Sequence, residues 1–248
     1  MFIDAGELWS FYASPLGHTV RRLVGTRLRA RWRHIEGETL FGFGYASPFM
    51  GTFRGEARRI GSLMPAQQGA LVWPHSGDSM TVLVDAEDLP LPDSSVDRMI
   101  VAHCLENAER PDLLLREIWR VMAAEGRVIF IVPNRGGIWA RADGTPFGHG
   151  RPYTRGQLER QLSGAMLATV GCMWALHLPP VERPLVLRSA VAIERFGARI
   201  WPSSAGVMIL EARKELTAPT GHVKVAPAIG ELVRIPNLRP AARRTRDC

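Results

Sequence analysis

Two glycines one residue apart, Gly42-Phe43-Gly44, end a short apolar run and are followed by Tyr45. Glycine at a strand end lets another group lie directly on the backbone. Asp85-Ala86-Glu87 closes a second apolar run with two carboxylates, and His103 closes a third. Residues 133–153 then gather Asn134, Arg135, Trp139, Arg141, Phe147, His149, Arg151 and Tyr153 among five glycines. A segment of that length without regular structure is a lid or a binding surface. Its arginines suit an anionic substrate or partner, with Arg135 nearest the preceding strand, and His149 or Tyr153 could accept a proton. Packing offers a plainer role for Trp139, Phe147 and Tyr153, which can hold the loop onto the body of the protein.

These residues sit at the ends of elements that the rest of the pattern defines. Residues 5–12 and 16–33 read as two helices parted at Ser14-Pro15, since proline disfavours helical geometry in the residue before it. In the second, Val20, Leu23, Val24, Leu28 and Ala30 form an apolar stripe. Short apolar runs at 39–43, 70–73, 81–84, 96–102 and 127–132 read as buried parallel strands, with a helix expected over 50–63. The clearest helix is 111–124, where Leu114, Ile118, Val121 and Met122 share one face, with Gly126 ending it. A helix at 154–165, a strand at 169–178, a helix at 185–196 and a strand at 206–212 complete the pattern. Strands alternating with helices predict an α/β fold with a doubly wound, mostly parallel, Rossmann-like sheet. Ligands in such sheets bind beyond the carboxyl ends of the strands, which places residues 42–45, 73–75, 85–87, 103–106 and 133–137 around one crevice.

The run from Asp85 to Asn134 resembles the downstream half of the nucleotide-binding core of class I S-adenosylmethionine-dependent methyltransferases, of the methyltransferase type 11 kind. The residues that carry the resemblance are Asp85-Ala86-Glu87, the turn Leu89-Pro90-Leu91-Pro92-Asp93, Asp97, the strand and helix that follow, and Pro133-Asn134. It implies S-adenosyl-L-methionine as cofactor, with Gly42, Gly44 and Tyr45 along its backbone-facing side, Asp85 and Ala86 at the adenine, and His103 facing the crevice. It also implies a reversed strand at the far edge of a seven-stranded sheet. Two departures mark the upstream half. Phe41 stands where the family has an acid, with no third glycine directly after Gly44, so the glycine motif is degenerate. Trp73-Pro74-His75 stands at the expected end of the second strand, where the family holds the ribose with an acid, and Asp78 is poorly spaced to replace it. The function implied is methyl transfer to an unidentified substrate. The alternative is a non-catalytic protein of the same fold, acting as a binding or regulatory module. A nicotinamide-dependent reductase is disfavoured, because it needs a fuller GxGxxG and an acid about twenty residues later.

Composition bounds the rest. With 248 residues, 46% of them hydrophobic and 22% charged, the chain suits one large α/β domain. The expected division is a helical segment at 1–36, the α/β domain at 37–215 and a basic, disordered tail at 216–248. The net charge of +7 is concentrated in that tail and in residues 16–34, which contain six arginines and no acid. Such segments can attract nucleic acid, anionic lipid or acidic protein, but no nucleic-acid motif accompanies them, and a solvated arginine face is the plainer reading. No run approaches the apolar length of a transmembrane helix, and the start lacks a signal-peptide pattern. Three cysteines without metal-like spacing fit a reducing cytoplasm and no metal site.

Overall fold

A computed structural model describes residues 2–216. The expected basic tail lies outside them except for its first residue. The chain begins with two helices, α1 (Ala5–Ala13) and α2 (Pro15–Arg31). Asp4 caps the first by accepting from the Gly6 N–H at 2.7 Å, and Ser14, in extended geometry, caps the second from the Gly17 N–H at 3.1 Å. Seven strands follow: β1 (Thr39–Gly44), β2 (Arg59–Pro65), β3 (Thr81–Val84), β4 (Val96–Ala102), β5 (Met122–Pro133), β6 (Leu167–Ala175) and β7 (Val207–Lys214). They form one sheet in the order β3-β2-β1-β4-β5-β7-β6. The first five are parallel; β7 enters antiparallel between β5 and β6. The doubly wound sheet and its reversed strand are therefore as expected.

Alternate strand residues feed two cores. Leu40, Ile100, Ile129, Ile131 and Ile209 face α1, α2 and the helix α3 (Ser47–Met50). Phe43, Val101, Phe130 and Leu210 face α4 (Pro111–Val121) and α5 (Arg155–Gly164). Leu114, Ile118 and Val121 of α4 are fully buried, each contributing about 1.5–3 kcal/mol. Two more helices, α6 (Pro184–Arg188) and α7 (Ala190–Ile200), precede β7; the single helix expected there is interrupted at Ser189.

The second strand is the main correction. Residues 50–63 are not one helix: α3 stops at Met50, a single 3-10 turn covers Gly51–Phe53, and β2 begins at Arg59. Gly51 and Gly55 weaken the helix. Gly61 and Ser62 disguise the strand, although both are buried and Gly61 makes room for the Phe41 ring. Residues 70–73 form no strand. They belong to an irregular link between β2 and β3 in which Leu71 and Trp73 lean on the core and Val72 is exposed. At the other end, α4 stops at Val121 because the Ser94 and Ser95 N–H groups cap its last carbonyls at 2.9 and 2.8 Å. Met122 then pairs with Val96, so Gly126 lies within β5 and ends no helix. The strand expected at 169–178 runs two residues earlier and finishes at Ala175, where Leu176 turns with φ +67°.

One buried carboxylate fixes α2 to this sheet. Glu211 of β7 is wholly buried and accepts from Trp32 Nε1 at 2.8 Å and from the Arg31 guanidinium, with Arg127 at 3.6 Å. Glu211→Ala strands the Trp32 indole N–H, while Arg31, one-third exposed, can still reach water. The expected loss is about 3 kcal/mol in urea unfolding; a loss below about 0.5 kcal/mol would show that this anchor does not hold α2.

Candidate functional site

Strands β1 to β5 all end on one side of the sheet, and α1 lies across those ends. The Ala5 N–H donates to the Gln68 carbonyl at 2.8 Å, and Gln68 Nε2 donates to the His103 carbonyl at 2.9 Å. The Tyr12 hydroxyl meets His103 Nε2 at 2.8 Å, and the Tyr12 ring stacks on Tyr45 with centroids 5.7 Å apart. Gln68, His103 and Glu106 are all buried. His103 holds φ at +51°, which for a residue with a side chain costs about 1–3 kcal/mol and is most often found where function demands it.

Electrostatics assigns the protons. Burial pushes the His103 imidazole down to about 3, so it is neutral. Burial, then the neighbouring Tyr45 and Glu106, raise the Tyr12 phenol well above its ordinary value, so Tyr12 donates and His103 Nε2 accepts. The remaining imidazole proton then sits on Nδ1, which lies 3.6 Å from Glu106 Oε1. Glu106 is pushed up to about 7 by burial, against weaker lowering by backbone hydrogen bonds. Among the described residues, His103 Nδ1 and Gln68 Oε1 lack a hydrogen-bond partner, and the Glu106 carboxyl has no side-chain partner within hydrogen-bond distance. Buried polar atoms are nearly always paired, so such a cluster marks a place built to meet another group.

The loop at 133–153 closes round the same cluster. Phe147 packs on His103 with centroids 4.8 Å apart, and the Arg151 N–H donates to the Glu106 carbonyl at 2.8 Å. Trp139 is buried and donates to the Leu178 carbonyl at 2.7 Å. The loop is thus held down by its aromatic residues and contains two 3-10 turns, Ile138–Arg141 and Pro146–Gly148. Tyr153 is buried near Glu106; burial raises its phenol to about 12, so it is a hydrogen-bond donor at neutral pH and no proton acceptor. Arg135 is exposed and donates to the Pro152 carbonyl at 3.2 Å, and His149 is exposed. Neither is brought to the cluster.

The upstream glycines behave differently from expectation. A side chain at Gly42 would strike Met50 and Ala46, and one at Gly44, where φ is +74°, would strike Ala102 and Cys104. Their missing side chains make room for α3 and for β4, so the protein's own packing requires glycine at both places. The position that follows β2 is Ala66-Gln67, not Trp73, and it too lacks an acid. Asp97 braces the start of β1 by accepting from the Thr39 N–H at 2.8 Å. A cavity of about 290 Å³ opens beside Asp85 and Ala86, walled by Gln67, Arg110, Leu114 and Phe2. One Asp85 oxygen accepts from the Glu87 N–H at 2.9 Å, leaving the other for a ligand. The cofactor that the resemblance implies therefore fits at its adenine end. Its ribose would meet the neutral Gln67, and its methionine end would need α1 to lift from Gln68 and His103. Among the described residues no cluster of three His, Cys, Asp or Glu could hold a metal ion, and no helix is long and apolar enough to cross a membrane.

Sequence reasoning missed Tyr12 and Gln68, and it put Glu106 at the crevice only as the end of residues 103–106, without a role. Tyr12 reads as part of a helix stripe.

Residues 65–130 match the family described as Methyltransferase domain. No curated protein matches the chain significantly in sequence. Among solved structures, it is similar to a SAM-dependent methyltransferase from Thermotoga maritima, described as a possible histamine N-methyltransferase, with TM-score 0.57 and 15% identity over 85% of this chain and 95% of that one. A SAM-dependent methyltransferase from Archaeoglobus fulgidus gives 0.58 and 18% over 85% and 100%. The cyclase SpnF gives 0.53 and 21% over 79% and 81%, so the same fold also carries other chemistry.

The Glu106 carboxyl supplies a test of the cluster. In the unfolded chain it ionises near its ordinary 4.5, whereas the folded chain holds the proton to about 7. Its contribution to stability is therefore complete below 4.5, falls as the pH rises through that window and is gone above 7. Glu106→Gln, which mimics the protonated form, is expected to match the wild type in urea unfolding at pH 4.5 and to exceed it by up to about 3 kcal/mol at pH 8. Equal effects at both pH values would mean that the carboxyl is not held protonated.

Proposed function

We propose that this chain is a class I methyltransferase that binds S-adenosyl-L-methionine and passes its methyl group to an acceptor seated against His103 and Glu106. The observation that carries this reading is the buried cluster of Gln68, His103 and Glu106 at the carboxyl end of β4, where this fold places ligands, with Gln68 Oε1 and His103 Nδ1 unpaired among the described residues. When bound, the cofactor supplies an electrophilic methyl on a sulfonium. Asp85 and the Ala86 backbone would hold the adenine in the cavity beside β3, and Gln67 would meet the ribose with a neutral amide. Glu106, poised near 7, takes the proton that the acceptor releases, since a general base works best with a pKa near the operating pH. His103, neutral and fixed by Tyr12, presents its Nδ1–H as a donor to the acceptor. Burial under α1 and the 133–153 loop keeps water from competing. Opening is a movement of α1 about the extended Ser14, which lets ligand reach the cluster and then covers it.

Calorimetry with S-adenosyl-L-homocysteine tests the cofactor half without an acceptor. The wild type is expected to bind, weakly, because a lost charged acceptor at the ribose costs roughly 1.5–3 kcal/mol. Asp85→Ala is expected to weaken binding about tenfold further. Identical affinities would remove Asp85 from the site, and no heat at millimolar ligand would overturn the reading.

A further inference from the structure

The arginine-rich helix α2 divides into two halves that do different work. Toward its C-terminal end, Arg27, Arg29 and Arg31 are committed to Glu194, Glu56 and Glu211. Arg21 and Arg22, nearer its start, are exposed and form no ion pair among the described residues. Both face a groove of about 1100 Å³. His18 and Arg22, one helical turn apart, line the same wall. The link after β2 also lines the groove, with Val72 62% exposed, Trp73 and His75, as does Trp9 of α1, 49% exposed. Tyr12 and Tyr45, both buried and stacked on each other, line it too. Behind Tyr12 lies His103.

We infer that this groove binds an organic anion, a phosphate or carboxylate joined to an aromatic or apolar body, and delivers it to the candidate site as the methyl acceptor. Two uncompensated guanidiniums set the charge, because their planar forks fit phosphate and carboxylate oxygens in pairs. Trp9 and Val72, both exposed, set the body, with the half-buried Trp73 beside Val72. Exposed tryptophan beside arginine in a concavity stacks on flat or apolar groups, which a solvated arginine face does not need. The volume of about 1100 Å³ lies just above the range of small-molecule pockets, roughly 300–1,000 Å³, and suits a whole organic molecule better than a flat protein surface. The two tyrosines give the link to chemistry: a ligand resting on Tyr12 and Tyr45 needs only the displacement of Tyr12 to meet His103 and Glu106. The same movement of α1 therefore opens the acceptor route and the cofactor's methionine end. This assignment of the ligand as acceptor rests on the methyltransferase reading; binding in the groove does not.

The test is calorimetric titration of the whole chain with 1-naphthyl phosphate, with inorganic phosphate and 1-naphthol as arms lacking the body and the charge. Naphthyl phosphate is expected to bind at least about tenfold more tightly than either arm. The exposed double substitution Arg21→Gln/Arg22→Gln and, separately, Trp9→Ala are each expected to weaken it about tenfold while leaving the urea midpoint in place. Equal affinity for inorganic phosphate with no effect of Trp9→Ala would reduce the groove to a general anion surface and overturn the inference. So would binding that survives the arginine substitutions, or co-sedimentation with phosphatidylglycerol vesicles without naphthyl phosphate binding. Titration of S-adenosyl-L-homocysteine into the same variants separates the two failures. Retained S-adenosyl-L-homocysteine binding with no groove ligand sinks only this inference; absence of S-adenosyl-L-homocysteine binding in the wild type sinks the methyltransferase reading, while naphthyl phosphate binding still decides the groove.

Discussion

Everything above the strand ends depends on a carboxylate with no access to water. Glu211 sits in the antiparallel strand β7 and gathers the last turn of α2 through Trp32 and Arg31. A buried charge of this kind is tolerated only when paired and hydrogen-bonded, and breaking it is far costlier than never having made it. With its end pinned, α2 can lie only along one line over the sheet, and α1, joined to it by the single residue Ser14, is carried over the crevice. Gly17 permits that tight turn, since a side chain there would strike the Phe11 carbonyl. Tyr12 then reaches His103. The reversed strand thus does more than close the sheet: it sets the position of the cover on the site.

The crevice has the fold's usual shape but is lined in an unusual way. Gly42 and Gly44 are consumed by contacts with Met50 and with β4, and Gln67 stands where an acid would grip a ribose. In their place the chain brings Tyr12, Gln68, His103 and Glu106 together under α1. Each unpaired polar atom there costs on the order of 1–3 kcal/mol. The two cores must offset that cost, and their burial of α4 and of both sheet faces does so amply. Such a cluster is unsuited to stability and suited to chemistry.

Much of the fold was legible because buried parallel strands and one strongly one-sided helix leave plain patterns. Residues 96–102 and the Leu114–Ile118–Val121 face of α4 are examples. The second strand was not legible: its centre is Gly61-Ser62, and the apolar run at 70–73 is a better strand by composition than β2. The Val72 exposure shows why composition misled, since those side chains cover the core from outside or face the groove. At the site, Asp85, Ala86 and His103 could be named because they sit directly at strand ends. Tyr12 and Gln68 could not, because each arrives from a distant segment and only the tertiary arrangement makes it polar lining. The arginines of residues 16–34 show the same limit: charge alone did not separate Arg31, a structural partner of Glu211, from Arg21 and Arg22, which have no ion pair among the described residues.

The cover and the acid are thermodynamically linked. Glu106 keeps its proton near neutrality chiefly because it is buried, and α1 supplies part of that burial through Tyr12 on His103. Any movement that admits water to the cluster lowers the carboxyl toward its ordinary value, so the open state releases a proton that the closed state retains. Linkage requires the converse as well: raising the pH through neutrality favours opening, and protonation favours closure. In the methyl transfer proposed above, a base that is hydrated when ligands enter and desolvated when the cover returns would gain proton affinity as the site closes over an acceptor, which is the moment a proton must be taken.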